Sequence, residues 1–446
     1  MPVPAPDDDP APGPRSGGGR GWLLRLVLAF TFAQGAVSMA RPAVSYRALA
    51  LGADARAVGV IAGVYALLPL FAAVPLGRRT DHGRCAPLLP AGVALIALGC
   101  ALSGAARSLP AMAAWSGVMG LGHLAFVIGA QSIVARQSAP AERDRDFGHF
   151  TMGAALGQLI GPVAAGLLVS EHDGALARTS ATALFAAAAV AACSVVSLHR
   201  VEHRPAAPGA PGRAAAEAPV EGGAARVPVA RILRTRGVGS GILISLAVLS
   251  ATDVLTAYLP VVGEQRAISP TVIGVLLGLR AAATVACRLV LAPMVALLGR
   301  PGLLIGSCLG AGLLCASVAL PLPVWALGVV LAALGFCLGV GQPLSMSTVV
   351  RAAPGGARST ALALRLTGNR LGQVAAPAGA GALAGVAGTA APFVLLGGVL
   401  LVSSAVAARL PGEARRGPGG EGARAATDEG RPAEASPRAR RRRTMG

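Results

Sequence analysis

The sequence contains no lysine. Its 39 basic residues are all arginine, set against 20 acidic ones, and charged residues make up only 13% of the chain. A soluble domain averages about 25% charged residues, so an ordinary soluble surface is excluded. Aromatic residues are scarce, at 3%. The seven cysteines form no C-x-x-C pair and sit in or beside apolar runs. They read as small core residues, not as disulfides or metal ligands. There is no phosphate-binding glycine loop, no metal-ligand spacing and no nucleophile triad pattern. An enzyme is therefore not expected, nor is any cofactor or metal, and energy cannot come from ATP bound to this chain. The opening stretch "MPVPAPDDDPAPGPRSGGGRG" is acidic and Pro/Gly-rich before any apolar run, unlike a cleavable signal peptide.

What the chain has instead is apolar length. Hydrophobic residues make up 54% of it, in runs such as "GVIAGVYALLPLFAAVPLG" (Gly59–Gly77) and "PFVLLGGVLLVSSAVAA" (Pro392–Ala408). A helix needs about 20 mostly apolar residues to cross a bilayer. The runs predict twelve spans, at 22–40, 56–77, 85–104, 109–135, 148–170, 179–198, 238–260, 270–292, 301–320, 322–348, 359–384 and 389–408. The expected fold is an all-α polytopic membrane protein. Residues 1–21 read as a disordered cytoplasmic tail, and 409–446 as a basic one suited to anionic lipid. Residues 199–236, rich in Pro, Gly, Ala and charge, read as a flexible cytoplasmic linker.

The net charge of +19 would fit a nucleic-acid partner, but its location does not. The arginines lie in tails and short connections. With the N-terminus inside, only Arg41, Arg47, Arg107, Arg178 and Arg266 fall in outer loops, with Arg56 at the outer edge of span two. The positive-inside rule then places both termini in the cytoplasm, with the chain in the plasma membrane (the inner membrane of a bacterium) and monomeric.

The chain repeats itself. "VGVIAG" (Val58–Gly63) aligns with "IGVLLG" (Ile273–Gly278), and "LGQLIGPVAAG" (Leu156–Gly166) with "LGQVAAPAGAG" (Leu371–Gly381), both at an offset of 215. Arg136 recurs as Arg351 at the same offset. The spans thus predict two six-helix halves, 22–198 and 237–408, related by a pseudo-two-fold axis along the membrane normal. A solute site is expected between them, near the midplane.

Two motifs carry a resemblance. "GRRTDHGR" offers Gly77, Asp81, Gly83 and Arg84 between spans two and three. Span five spaces Gly148, Gly157, Gly161, Pro162 and Gly166 along one helix. The chain resembles the major facilitator superfamily, in particular its drug–proton antiporters, over about residues 22–408. The resemblance implies alternating access. It also implies an inner-loop charge cluster at Asp81 and an antiporter-like packing motif in span five. One feature departs from the pattern: Ser116 stands where proton-coupled exporters usually carry an arginine.

Polar residues present in one half only are the better functional candidates. Asp253 has Ser38 as its counterpart, Arg280 has Tyr65, Arg365 has Phe150 and Arg370 has Ala155. A charge at the bilayer centre costs about 2.5–3.5 kcal/mol on the insertion scale, so each should face a cavity or a partner. Asp253 is the candidate proton carrier or substrate contact, or else a counter-ion for Arg280. On a helical wheel Arg365, Asn369, Arg370 and Gln373 share one broad polar side. Arg365 either closes an inner gate or meets solute. Gln34 and Gln131 are candidate hydrogen-bond partners of solute. His123 carries protons or is a packed, hydrogen-bonded histidine, and Arg288 reads as an anchor at the inner surface.

These residues predict a secondary transporter exporting a small organic molecule in exchange for H⁺. The alternatives are a gradient-driven importer of the same fold and a transporter-like sensor that moves nothing. Three membrane arginines against one acid lean toward an anionic solute.

Overall fold

The computed structural model describes residues 21–82, 85, 87–139, 142–170, 175–199, 201, 229–235, 237–353 and 358–409. The predicted tails and most of the predicted linker lie outside these residues. The secondary structure described is helical. The first set of helices is α1 (Gly21–Ala50), α2 (Ala55–His82), α3 (Leu88–Ala105), α4 (Leu109–Gln137), α5 (Arg143–Leu168) and α6 (Leu176–Cys193), which a 3-10 turn extends to Leu198. A six-residue helix, α7 (Val229–Arg234), precedes the second set. That set is α8 (Val238–Gln265), α9 (Pro270–Leu298), α10 (Arg300–Ser317), α11 (Val324–Ala352), α12 (Arg358–Ala387) and α13 (Ala391–Ala408).

Eleven of these helices are long and apolar enough to cross a membrane. The exception among the long helices is α12. Arg358, Arg365 and Arg370 lower its hydropathy, yet it packs among α2, α8, α11 and α13 like its neighbours. Burial inside the bundle, not lipid, accommodates those charges.

The helices overrun the predicted spans where sequence suggested a loop. The first span was expected to stop at residue 40, but α1 continues through Arg41 and Pro42 to Ala50. Proline lacks an amide hydrogen, so inside a helix it frees a carbonyl and is normally disruptive. Membrane helices tolerate it where neighbours and nearby side chains re-satisfy the backbone. Here α1 is buried on most sides, from Leu26 to Ala48.

Packing repeats between the two sets. α1 lies against α5 and α6 as α8 lies against α12 and α13. α3 packs on α4 as α10 packs on α11, and α2 on α4 as α9 on α11. Between the sets, α5 meets α9, α2 meets α12, and α1 meets α8.

The crossings between sets rest on glycine. A Cβ built on Gly274 of α9 would lie 3.0 Å from Gly166 Cα of α5, and one on Gly59 of α2 would lie 2.9 Å from Gly381 Cα of α12. Gly59 and Gly274 are one repeat pair, and Gly166 and Gly381 the other, both at the 215 offset. The repeated segments seen in the sequence are thus the surfaces by which the halves touch. Glycine allows backbones to approach this closely. These contacts lie toward the end that carries the α1–α2 and α8–α9 connections.

Arginines at that end cap helices. Arg47 donates to the carbonyls of Ala177 (2.7 Å) and Ala106 (2.9 Å), and Arg266 to those of Val318 and Ala319 (both 3.1 Å). The carbonyls of Ala106, Val318 and Ala319 lie at helix C-terminal ends, which leave carbonyls unpaired, whereas that of Ala177 lies in the first turn of α6.

Candidate substrate and coupling site

Where α1 and α8 meet, Arg41 Nη2 lies 2.8 Å from Asp253 Oδ1. This ion pair joins the two sets of helices. Asp253 is almost wholly buried, with its side chain 5% exposed, and Arg41 is 21% exposed. Asp253, expected as a proton carrier, substrate contact or counter-ion for Arg280, has Arg41 as its direct ion-pair partner, and Arg280 lies within its electrostatic reach. The reason is geometric. Ser38 and Asp253 occupy equivalent positions in α1 and α8, which pack on each other. Arg41, nearly one turn beyond Ser38, then reaches the carboxylate. Sequence placed Arg41 in an outer loop because the Arg-Pro step interrupts the apolar run.

A second chain of contacts begins at the same arginine. The Arg41 guanidinium lies 5.3 Å from the centroid of the Tyr65 ring, within cation–π range. Tyr65 Oη is 2.8 Å from His123 Nδ1, His123 Nε2 is 2.9 Å from Gln34 Oε1, and Gln34 Nε2 donates to Ser38 Oγ at 3.2 Å. One assignment of hydrogens satisfies every member. Tyr65 donates to Nδ1, a neutral imidazole donates from Nε2 to Gln34, and Gln34 donates to Ser38. His123 is therefore a hydrogen-bonded link joining α2, α4 and α1. Gln34, a candidate from sequence, is part of this chain. Tyr65, Ser38 and Arg41 were not candidates. In the sequence Tyr65 and Ser38 stand out only as repeat counterparts of Arg280 and Asp253.

Arg41, Ser45, Tyr65 and Ser116 help line a small cavity of about 20 Å³, room for about one water. Ser116 itself donates to the carbonyl of Ile61 at 3.4 Å. Ser116 of α4 and Arg41 of α1 thus line the same cavity.

The polar side of α12 divides. Arg365 and Asn369 are buried in a cluster with α8 and α11. Arg365 Nη2 donates to Gln342 Oε1 (2.7 Å), to the Gln342 carbonyl (3.2 Å) and to Ser345 Oγ (3.4 Å). Ser245 Oγ donates to Asn369 Oδ1 at 2.9 Å, and Gln342 Nε2 to the Ser245 carbonyl at 3.0 Å. Arg370 instead holds Gln373 Oε1 at 2.9 Å and is within electrostatic reach of Tyr65 and His123 in the other half. Arg280, on α9, is within electrostatic reach of Arg41 and Asp253. Its Nε is buried with no hydrogen-bond partner among the described residues.

Other expected residues lie apart. Gln131 is exposed on α4, outside these networks, and Arg288 is exposed on α9. In the span-five motif, Gly157 and Gly161 pack on α1 beside Gly35 and Ser38, while Pro162 and Gly166 meet α9 at Gly274. Gly148 faces open space. Gly77 and Asp81 fall in the last turns of α2. Gly83 and Arg84 lie outside the described residues.

Comparison with known proteins agrees with this architecture. The family model of the Major Facilitator Superfamily matches residues 26–266 and again 241–444. The two matches begin 215 positions apart, the interval of the internal repeat. The chain belongs to this superfamily, whose members are secondary transporters and not enzymes. Its fold is shared by the nucleoside transporter NupG, with a TM-score of 0.65 at 13% identity, covering 86% of this chain and 98% of that one. A POT family transporter in complex with 5-aminolevulinic acid gives 0.69 at 16% identity, covering 87% and 95%. A bacterial homolog of the human lysosomal transporter Spinster, inward-facing and unoccupied, gives 0.66 at 14% identity, covering 88% and 97%. No curated relative matches the sequence.

Proposed function

We propose that this transporter is a proton-coupled exporter of a small organic molecule, with Asp253 as the proton carrier and Arg41 as its switch partner. The observation that carries this reading is the Arg41–Asp253 pair. It joins the two halves near the middle of their central helices, where a charge is tolerated only with a partner. Protonating Asp253 abolishes the pair and removes a contact between halves, which is what coupling a proton to rocking requires. Arg41 beside Ser116 supports the same reading, since it supplies a cavity arginine where α4 lacks one. The spacing of the α5 glycine motif supports export.

In this reading residues 22–198 and 237–408 are the two rocking bodies and 199–236 is their cytoplasmic linker. The distribution of arginines supports cytoplasmic termini in the plasma membrane. The glycine contacts between halves then close the outer face. Solute would sit among Tyr65, Arg280 and Arg370, and the chain would work as a monomer.

The test is transport by protein reconstituted in vesicles with an imposed pH gradient. Asp253→Asn should abolish uphill, gradient-driven flux while leaving solute exchange at equal pH. Unchanged uphill flux in that variant would overturn the assignment.

A further inference from the structure

Among the described residues, Arg365 is a buried charge without a counter-charge. Its residue exposure is 6%, and no carboxylate lies within ion-pair distance of it among the described residues. Its Nη2 is held by Gln342 and Ser345, while its Nε is buried with no hydrogen-bond partner among the described residues. Buried charges are normally paired, because desolvation disfavours a lone one.

The repeat shows that the architecture does not require this arrangement. The first-half positions equivalent to Ser245, Gly341 and Arg365 are Phe30, Phe126 and Phe150. There the three rings stack, with centroids 4.3 Å apart for Phe30–Phe150 and 5.8 Å for Phe30–Phe126. One half fills this place with a dry aromatic stack. The other fills it with a guanidinium, an amide pair and two hydroxyls. Packing alone therefore does not explain Arg365.

From this we infer that the Arg365 cluster is an anion subsite that receives a carboxylate-class group of the transported solute. This rests on the transport reading above and adds the chemical class of the solute. Gln342 and Ser345 hold Nη2 in place, and the buried Nε–H is left unpaired among the described residues, a donor that an oxyanion would satisfy. Ser245 and Asn369 supply further polar groups beside it. The ion pair does not offset this charge, since Asp253 is taken by Arg41. Arg280 and Arg370, each without a direct acidic partner among the described residues, add to the positive character of the same half.

The experiment uses the full-length protein in nanodiscs of zwitterionic phosphatidylcholine. A panel of small organic acids, each matched with its amide (benzoate with benzamide, for example), is titrated against the thermal unfolding midpoint. At least one acid is expected to raise the midpoint saturably where its amide does not. Arg365→Gln should weaken that acid by roughly 10- to 100-fold. The double variant Ser245→Phe/Arg365→Phe imitates the aromatic filling of the first half and guards against a simple folding defect. It should remain folded and show no preference for acids. Equal binding of amides, no acid that binds, or acid binding unchanged in Arg365→Gln overturns the proposal. So does an Arg365-dependent rise caused only by adding phosphatidylglycerol, which would make a lipid headgroup the occupant. Failure here leaves the Asp253 transport test untouched, so the two readings fail separately.

Discussion

Arg41 and Asp253 form a 2.8 Å ion pair between the central helices of the two halves. Neither residue has an ionisable counterpart in the repeat: Arg41 maps to Thr256 and Asp253 to Ser38. Two positions that break the symmetry thus meet across it. Their stability consequences are testable. Removing one partner of a buried pair costs about 3–5 kcal/mol, because the other charge is left stranded. Arg41→Gln and Asp253→Asn should each lower the unfolding midpoint, and the double variant should recover most of the loss. A double-mutant cycle by thermal unfolding measures this. Additive losses would show that the pair is not coupled.

The glycine contacts should act as latches. A methyl group on Gly59 or Gly274 meets the opposing backbone, at Gly381 and Gly166, when the halves close at that face. Overpacking costs about 1–3 kcal/mol. The cost falls on the closed face alone, so Gly274→Ala should shift the population toward the opposite state by roughly tenfold. Spin labels on the α1–α2 and α12–α13 connections should then report longer distances. Gly148→Ala, with open space around it, should leave the distances unchanged.

Tyr65→Phe separates two roles of one ring. The phenyl group keeps its face toward Arg41, but His123 Nδ1 loses its donor. A lost hydrogen bond of this kind costs about 1 kcal/mol, visible as a small drop in the unfolding midpoint. Tyr65→Leu also removes the cation–π contact and should cost more. Equal effects of the two variants would mean that the ring face contributes nothing beyond the lost hydroxyl.

Arg266 bonds the carbonyls at the end of α10 and touches no part of the candidate site. Arg266→Ala should cost about 1–2 kcal/mol of stability and leave solute affinity unaltered, as measured by thermal unfolding and a binding titration on the same preparation. A change in affinity would tie this cap to the solute path.

Much of the fold was legible from the residues. Apolar runs located every long helix, including α12, because hydropathy and helical length are local properties. Repeat matches such as Val58–Gly63 with Ile273–Gly278 disclosed the two halves, though they read as scaffold and not as the contact between halves. Asp253, Arg280, Arg365 and Arg370 stood out because each breaks the repeat. Arg41 did not stand out, because the Arg-Pro step read as the end of a span. His123 reads from sequence as a proton carrier or a packed residue, and only the fold shows its two hydrogen bonds, to Tyr65 and Gln34.

The sequence by itself thus determined the class of protein, the order of helices, the duplication and the unusual charges, since all of these follow from composition and spacing along the chain. Only the tertiary structure decided which charges meet. It paired Asp253 with Arg41, divided Arg365 from Arg370 on a single helix face, and joined His123 to Tyr65 and Gln34. Such pairings depend on the extent and rotation of helices far apart in the chain. Close packing between the halves sets both, and no local pattern encodes them.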